Sequence, residues 1–185
     1  MQLVNLQKTI EEFRDKVIKE SKDNLRKLGK GGGDLERSIK AGPVKVTDRS
    51  LQFEIEMEYY GTFQDQGVQG KSSNAKAPKS PYRFGKKTGR KGGLTEGIDK
   101  WVRKKRFQFR EKKTGRFMSY SSTAYLITRS IYLTGIKPSL FFTKPFEKYA
   151  KGLPKELEKA FALDTQAFLE FTTKQQLKNY PNGQD

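Results

Sequence analysis

Apolar residues recur along residues 3–28 at helical spacing. Leu6, Ile10, Phe13, Val17 and Leu28 fall on one stripe, with Lys, Glu and Asp opposite, and this predicts an amphipathic helix. Gly29 is placed to stop it, and Lys30–Gly33 predicts a flexible joint. Asp34 is in position to cap a short turn through Leu35 and Ile39. The period then changes. Leu51, Phe53, Ile55, Met57 and Tyr59 alternate with Gln52, Glu54, Glu56 and Glu58. A strict period of two predicts a strand with one apolar and one anionic face. Val44–Thr47 predicts its partner, joined through a turn at Asp48-Arg49-Ser50.

Residues 61–93 show no period and are rich in Gly, Ser, Pro and Lys. A loop of that length in a compact domain is functional or disordered. Leu94–Arg106 then predicts a helix. Thr95 is a candidate cap, Glu96 and Asp99 sit in its first turn, Arg103–Arg106 sit in its last, and Ile98, Trp101 and Val102 form its apolar edge. Residues 121–134 predict another helix, striped by Ala124, Ile127 and Ile131 and stopped by Gly135. Lys137-Pro138 breaks the chain. A short helix over 145–151 follows, then a longer one from Pro154 with Leu157, Phe161 and Phe168 facing one way. The expected class is α+β: a small antiparallel sheet packed against N-terminal, central and C-terminal helices, with a long basic loop or hairpin excursion. At 185 residues a single domain is expected over 1–185, with 61–118 as a basic extension and 173–185 as a flexible tail.

Charge changes this picture in one place. Residues 71–116 hold 17 Lys and Arg against Glu96, Asp99 and Glu111, which is most of the formal net charge of +17. Such concentration marks a surface built to meet an anion. Two similar segments flank the predicted central helix: Phe84-Gly85-Lys86-Lys87-Thr88-Gly89-Arg90 and Phe109–Arg116. Lys-Thr-Gly-Arg suits a tight turn, so each reads as a hairpin tip presenting cations. The candidate contacts to DNA or an acidic partner are Lys86, Lys87, Arg90, Lys91, Arg103, Lys104, Lys105, Arg106, Lys112, Lys113 and Arg116. Tyr82, Phe84, Phe107 and Phe109 interleave with them and suit stacking or packing beside phosphate contact.

Other chemistry is thinly represented. The chain has no Cys and no His, which removes disulfides, thiolate and imidazole metal ligands, and the Ser-His-Asp and Cys-His arrangements. No apolar run approaches the ~18–20 residues of a membrane span. The expectation is a soluble protein of a reducing compartment, without cofactor or membrane association. The glycines at 29–33 and 85 lack the spacing of a Walker A loop. Glu54, Glu56 and Glu58 with Asp65 raise a metal-dependent nuclease, yet no carboxylate-x-Lys lies on a neighbouring strand. A solvated or interface-facing sheet surface is the simpler account of those glutamates.

Three short motifs occur in an informative order: Gly33-Asp34-Leu35-Glu36-Arg37-Ser38-Ile39; Tyr59-Tyr60-Gly61-Thr62-Phe63-Gln64-Asp65-Gln66-Gly67-Val68-Gln69-Gly70; and Gly135-Ile136-Lys137-Pro138 running into Phe141-Phe142-Thr143-Lys144-Pro145-Phe146. In this the chain resembles the tail-completion or head–tail joining (neck) proteins of tailed double-stranded DNA bacteriophages, over roughly residues 1–70 and 120–172. The stretch 71–118 is longer than the family usually carries, and Asp65-Gln66-Gly67-Val68 stands where the family has Glu-x-Gly-Thr. The resemblance implies a structural virion protein rather than an enzyme. It implies a homo-oligomeric ring of six or twelve copies between portal or adaptor and tail proteins, through which the genome passes. It also implies assembly in the host cytoplasm and residence in the virion neck. Glu54, Glu56, Glu58, Tyr60 and Phe63 are then candidates for the subunit interface, with glutamates of one protomer meeting cations of the next. The alternative is a stand-alone nucleic-acid-binding protein or nuclease.

Overall fold

The computed structural model describes residues 3–47, 50–85 and 93–179, with side chains described through 175. The expected turn at Asp48-Arg49, the first hairpin tip with Lys86, Lys87, Arg90 and Lys91, and the last residues 180–185 lie outside the described residues. The chain forms two compact units: Tyr60–Leu140 is one, and the segments on either side of it make the other. The class is α+β, with seven helices and two small antiparallel sheets among the described residues.

The flanking unit is organised on helix α1, Val4–Lys27. Its buried stripe is Leu6, Ile10, Phe13, Val17, Ser21 and Leu25. Leu28, expected to extend the stripe, is exposed, because the helix ends before its side chain can turn inward. The end is a Schellman motif. Gly29 takes φ 70°, its N–H donates to Arg26 O, and Lys30 N–H donates to Leu25 O. The following Lys30–Gly33 is a pinned turn rather than a free joint. Glu36 accepts from Gly32 N–H at 2.5 Å and from Arg26 Nε at 2.6 Å. These donors, Gly32 N–H first, hold the Glu36 carboxyl below its usual range. Gly33, not Asp34, occupies the N-cap position of α2, Asp34–Ser38.

β1, Lys40–Val46, pairs antiparallel with β2, Leu51–Glu56. The register shifts between Ala41 and Val44, so Gly42 and Pro43 together oppose Glu54. A bulge tolerates a proline, which has no N–H for the ladder. Arg14 of α1 donates to Gly42 O at 2.7 Å and fastens the bulge to the helix. Below the sheet, Phe13 meets Phe53 and Phe146 edge-on at centroid distances of 5.5 and 5.7 Å. Leu25, Leu35, Ile39 and Phe141 form the buried core, with Ile18, Ile55, Met57 and Phe142 against it. The strand ends at Glu56 rather than Tyr59. Glu58 N–H donates to Ser38 Oγ, which takes the chain off the ladder, and Tyr59 is 76% exposed.

Two helices complete this unit: α6, Thr143–Ala150, and α7, Leu153–Asn179. (Helices α3 to α5 belong to the other unit, below.) Lys148 and Tyr149 of α6 both donate to Glu20 of α1, at 2.8 and 2.6 Å. On α7 the buried positions are Ala160 and Asp164, while Phe161 and Phe168 are 52% and 44% exposed. A polar contact sets that rotation. Asp164 accepts from Asn5 N–H, Asn5 Nδ2 and Leu6 N–H at 2.8–3.0 Å. α7 runs to Asn179, past the start of the tail expected at residue 173.

The unit Tyr60–Leu140 holds α3, Tyr60–Gln66; β3, Val68–Gln69; α4, Gly93–Lys104; α5, Tyr120–Thr134; and β4, Gly135–Ile136. The stretch from residue 61, aperiodic in sequence, therefore opens with a helix and a strand. β3 pairs with β4. The chain around Arg83 adds to β3 through Gln69 N–H to Tyr82 O and Phe84 N–H to Gln69 O. Gly70 and Gly135 allow the two short strands to approach. A Cβ on Gly70 would collide with Leu133 O, and one on Gly135 with Val68 O. α5 packs on α4, buries Thr123 and Ala124, and is capped by Ser119 Oγ accepting from Ser122 N–H. No described helix is long and apolar enough to cross a membrane.

Two stability predictions follow from α1. Asp164→Ala removes three charge-assisted hydrogen bonds and is expected to cost about 2 kcal/mol in urea unfolding at neutral pH. Burial raises the Asp164 carboxyl, but the Asn5 and Leu6 donors outweigh this and hold it below its ordinary 3.8. The folded state therefore binds this proton less readily than the unfolded chain. The cost of Asp164→Ala is full above a pH of about 5 and shrinks as the pH falls through the depressed folded value. Ser21 Oγ is buried with no hydrogen-bond partner, so Ser21→Ala is expected to raise stability by about 0.5–1 kcal/mol.

Candidate functional site

Nine of the seventeen clustered cations lie on α4, the turn after it and the hairpin that follows, in the unit Tyr60–Leu140. α4 opens with Thr95 inside its first turn rather than capping it. Two of its cations are engaged within the helix. Lys100 donates to Glu96 at 2.7 Å and Arg103 to Asp99 at 2.8 Å, each four residues apart. Hydrogen bonding to these carboxylates raises both already high pKa values, so both are cations at any working pH. Arg103 also lies over the Tyr120 ring, 5.6 Å from its centroid. Lys104, Lys105 and Arg106 follow with exposed side chains and no ion pair among the described residues. The α4 C-terminus contributes roughly half a negative charge, which these three cations outweigh.

The helix ends in the same motif as α1, with one difference. Phe107 N–H donates to Val102 O and Arg106 N–H to Arg103 O, which places Arg106 where α1 has Gly29. Arg106 takes φ 51°. A left-handed conformation costs a residue with a Cβ about 1–2 kcal/mol. The chain tolerates that cost here and avoids it at Gly29.

Past this turn the backbone folds into the second expected hairpin. Glu111 N–H donates to Arg116 O, Met118 N–H to Phe109 O, and Gly115 takes φ 70° at the tip. Thr114 Oγ1 donates to Glu111 at 2.6 Å. Lys112, Lys113 and Arg116 are exposed around it, and Arg110 lies 4.6 Å from the Phe117 ring centroid.

Between helix and hairpin runs a row of aromatic rings. Trp101 is 6.0 Å from Phe107, and Phe107 is 5.2 Å from Phe109 in an edge-to-face pair. The three are 45%, 41% and 38% exposed. Phe107 and Phe109 thus stand in the solvent beside the cations. Tyr82 and Phe84, grouped with them in the sequence pattern, are instead packed. Tyr82 is edge-on to Phe63 at 4.7 Å, and Phe84 is 5.8 Å from Tyr132. Trp101 was expected on the apolar edge of α4. Val102 fills that role fully buried and Ile98 half-buried, while Trp101 turns outward. The signal for it is its company: Lys100, Arg103 and Lys104 surround it in sequence.

The interface candidates divide between the units. Glu54 and Glu56 stand on the outer face of β2, and Glu58 lies just beyond it, all exposed and without ion pairs among the described residues. That face is less anionic than β2 alone indicates, because Lys40 lies directly opposite Glu56, and Lys45 opposite Gln52. Tyr60, exposed, and Phe63, half-buried, belong to α3 in the other unit. Among the described residues no group of three or more Asp or Glu is gathered to hold a metal ion. No family model matches the chain, no curated protein matches it, and no solved structure matches it.

Replacing Arg106 with glycine relieves the left-handed strain without removing a buried contact. Arg106→Gly is expected to raise stability by about 0.5–1 kcal/mol, read as a higher midpoint in urea unfolding. An unchanged or lower midpoint would show that the turn carries no such strain.

Proposed function

We propose that this chain is a structural subunit of the head–tail connector of a tailed double-stranded DNA bacteriophage, closing into a homo-oligomeric ring of six or twelve copies. The genome would pass through that ring, between portal or adaptor and tail proteins. Assembly would take place in the host cytoplasm, and the ring would reside in the virion neck.

The observation that carries the reading is how the three motifs meet. Leu35 and Ile39 of the first are buried against Phe141 of the third. In the other unit, Gly67 of the second takes φ 73°, and a Cβ there would lie 2.6 Å from Ile136 O and 2.7 Å from Pro138 N of the third. Segments far apart in sequence are thus the joints on which each unit closes. The third motif serves both. Such residues define a fold rather than a reaction, which suits a structural protein.

Charge supports the ring geometry. Exposed, unpaired glutamates lie on one unit and the large cation surplus on the other. A contact in which one patch meets a different patch on the next copy is head-to-tail, and head-to-tail contacts close into rings. On this reading no residue has a catalytic role.

The test is assembly. Light scattering and negative-stain imaging at rising protein concentration are expected to show rings. Glu54→Lys with Glu56→Lys, or Lys112→Glu with Lys113→Glu, should each abolish them, and mixing the two variants should restore mixed oligomers. A strict monomer at every concentration, with neither variant changing the outcome, overturns the proposal.

A further inference from the structure

We propose that the exposed row Trp101–Phe107–Phe109, with Lys104, Lys105 and Arg106 beside it, is a binding site for single-stranded nucleic acid. Its bases would stack on the rings and its phosphates would meet the cations. The inference does not depend on the ring reading, which requires only that a duplex pass.

Three observations carry it. First, the rings form a continuous row at centroid spacings of 6.0 and 5.2 Å. They are exposed although the same unit buries Val102, Thr123 and Ala124 at 0–1% exposure. Water contact of three neighbouring aromatics is unfavourable unless something covers them. Second, the cations nearest in sequence are those left unpaired among the described residues. Glu96 and Asp99 are already taken by Lys100 and Arg103, so Lys104, Lys105 and Arg106 have charge to offer an outside anion. Third, Arg106 occupies a left-handed position that the chain gives to Gly29 at the matching turn of α1. Strain held at one residue, next to both charge and rings, marks a place where the side chain is needed for more than the turn.

The combination selects the ligand. A duplex presents phosphates, which the lysines and arginine satisfy, but it hides its base faces, so the rings would gain nothing. A single strand presents both. Tilted rings, 52° and 78° to one another, offer separate surfaces to separate bases and no hydrogen-bond code, which predicts tolerance of sequence.

The protein reports on its own site, because Trp101 is its only tryptophan. Titration with an oligothymidylate of about 20 nucleotides, longer than the ~4–16-nucleotide sites of known single-strand binders, should quench the indole fluorescence. A duplex of the same length should bind more weakly and quench little. Phe107→Ala should weaken single-strand binding by about 5- to 100-fold and leave duplex binding unchanged. Arg106→Gly should weaken binding while the urea midpoint rises. It should also make the slope of log affinity against log salt shallower by about 0.7. That pairing separates lost contact from lost fold.

Equal binding of duplex and single strand, with Phe107→Ala without effect, overturns the proposal. So does quenching by polyglutamate or by phosphatidylserine vesicles but not by oligothymidylate, which would assign the row to an acidic protein or a lipid surface. Ring assembly with no single-strand binding would remove this site and leave the connector reading standing. Single-strand binding by a strict monomer would do the reverse.

Discussion

Helix α1 begins with backbone N–H groups that nothing in its own first turn accepts. Leu3 at the N-cap has no side-chain oxygen to offer, so the acceptor comes from across the unit, where the Asp164 carboxylate takes the N–H groups of Asn5 and Leu6. An N-terminal cap normally comes from the adjoining residue. Here it arrives 158 residues later in the chain, and it fixes which face of α7 turns inward. The same helix fastens its other neighbours by polar contacts at intervals. Arg14 holds the β1 bulge, Glu20 holds α6, Asn24 Nδ2 donates to Phe141 O, and Arg26 reaches Glu36. The apolar stripe supplies the burial. These contacts, one to each neighbouring element, set the register in which it happens.

The unit Tyr60–Leu140 closes by a different device. Its sheet strands are two residues long, too short to be held by their own ladder, and they persist because glycine lets backbone meet backbone. At Gly70 and Gly135 any side chain would occupy the space of the opposing strand. The surrounding loop adds hydrogen bonds of its own, with Lys71 and Ser72 N–H donating to Tyr132 and Leu133 O. The result is a small frame that presents α4 and its hairpin, with the charges of that hairpin all outward.

What could be read in the sequence depended on repetition. α1 and the β1–β2 hairpin each sustain a period for long enough to declare themselves, and α4 to α7 are bounded by clear stop signals. β3 and β4 have no length in which a period can show. Tyr59 continues the alternation of β2 in sequence, but not in space, because Ser38 has already drawn Glu58 away. Hydrophobicity ranks Phe161 and Phe168 above Ala160, whereas the buried register of α7 follows a carboxylate. The cations of the candidate site were plain in composition. Trp101 was not, since its spacing from Ile98 and Val102 matched an inward edge. Only the packing shows Val102 fully buried and Ile98 half-buried while Trp101 stands exposed.

Helix α7 continues about 22 Å beyond Asp164, counting 1.5 Å for each residue to Asn179. Its inward positions pass from Leu157, Ala160 and Asp164 to Phe168 and Phe171, which are 44% and 59% exposed. A stretch of about 15 residues is close to the shortest helix that holds in water by itself. Backbone protection should therefore divide the helix at Asp164, with slow amide exchange before it and fast exchange after. The second half behaves as an antenna whose order reports contact, since whatever covers the two phenylalanines would complete a helix the protein has only half anchored.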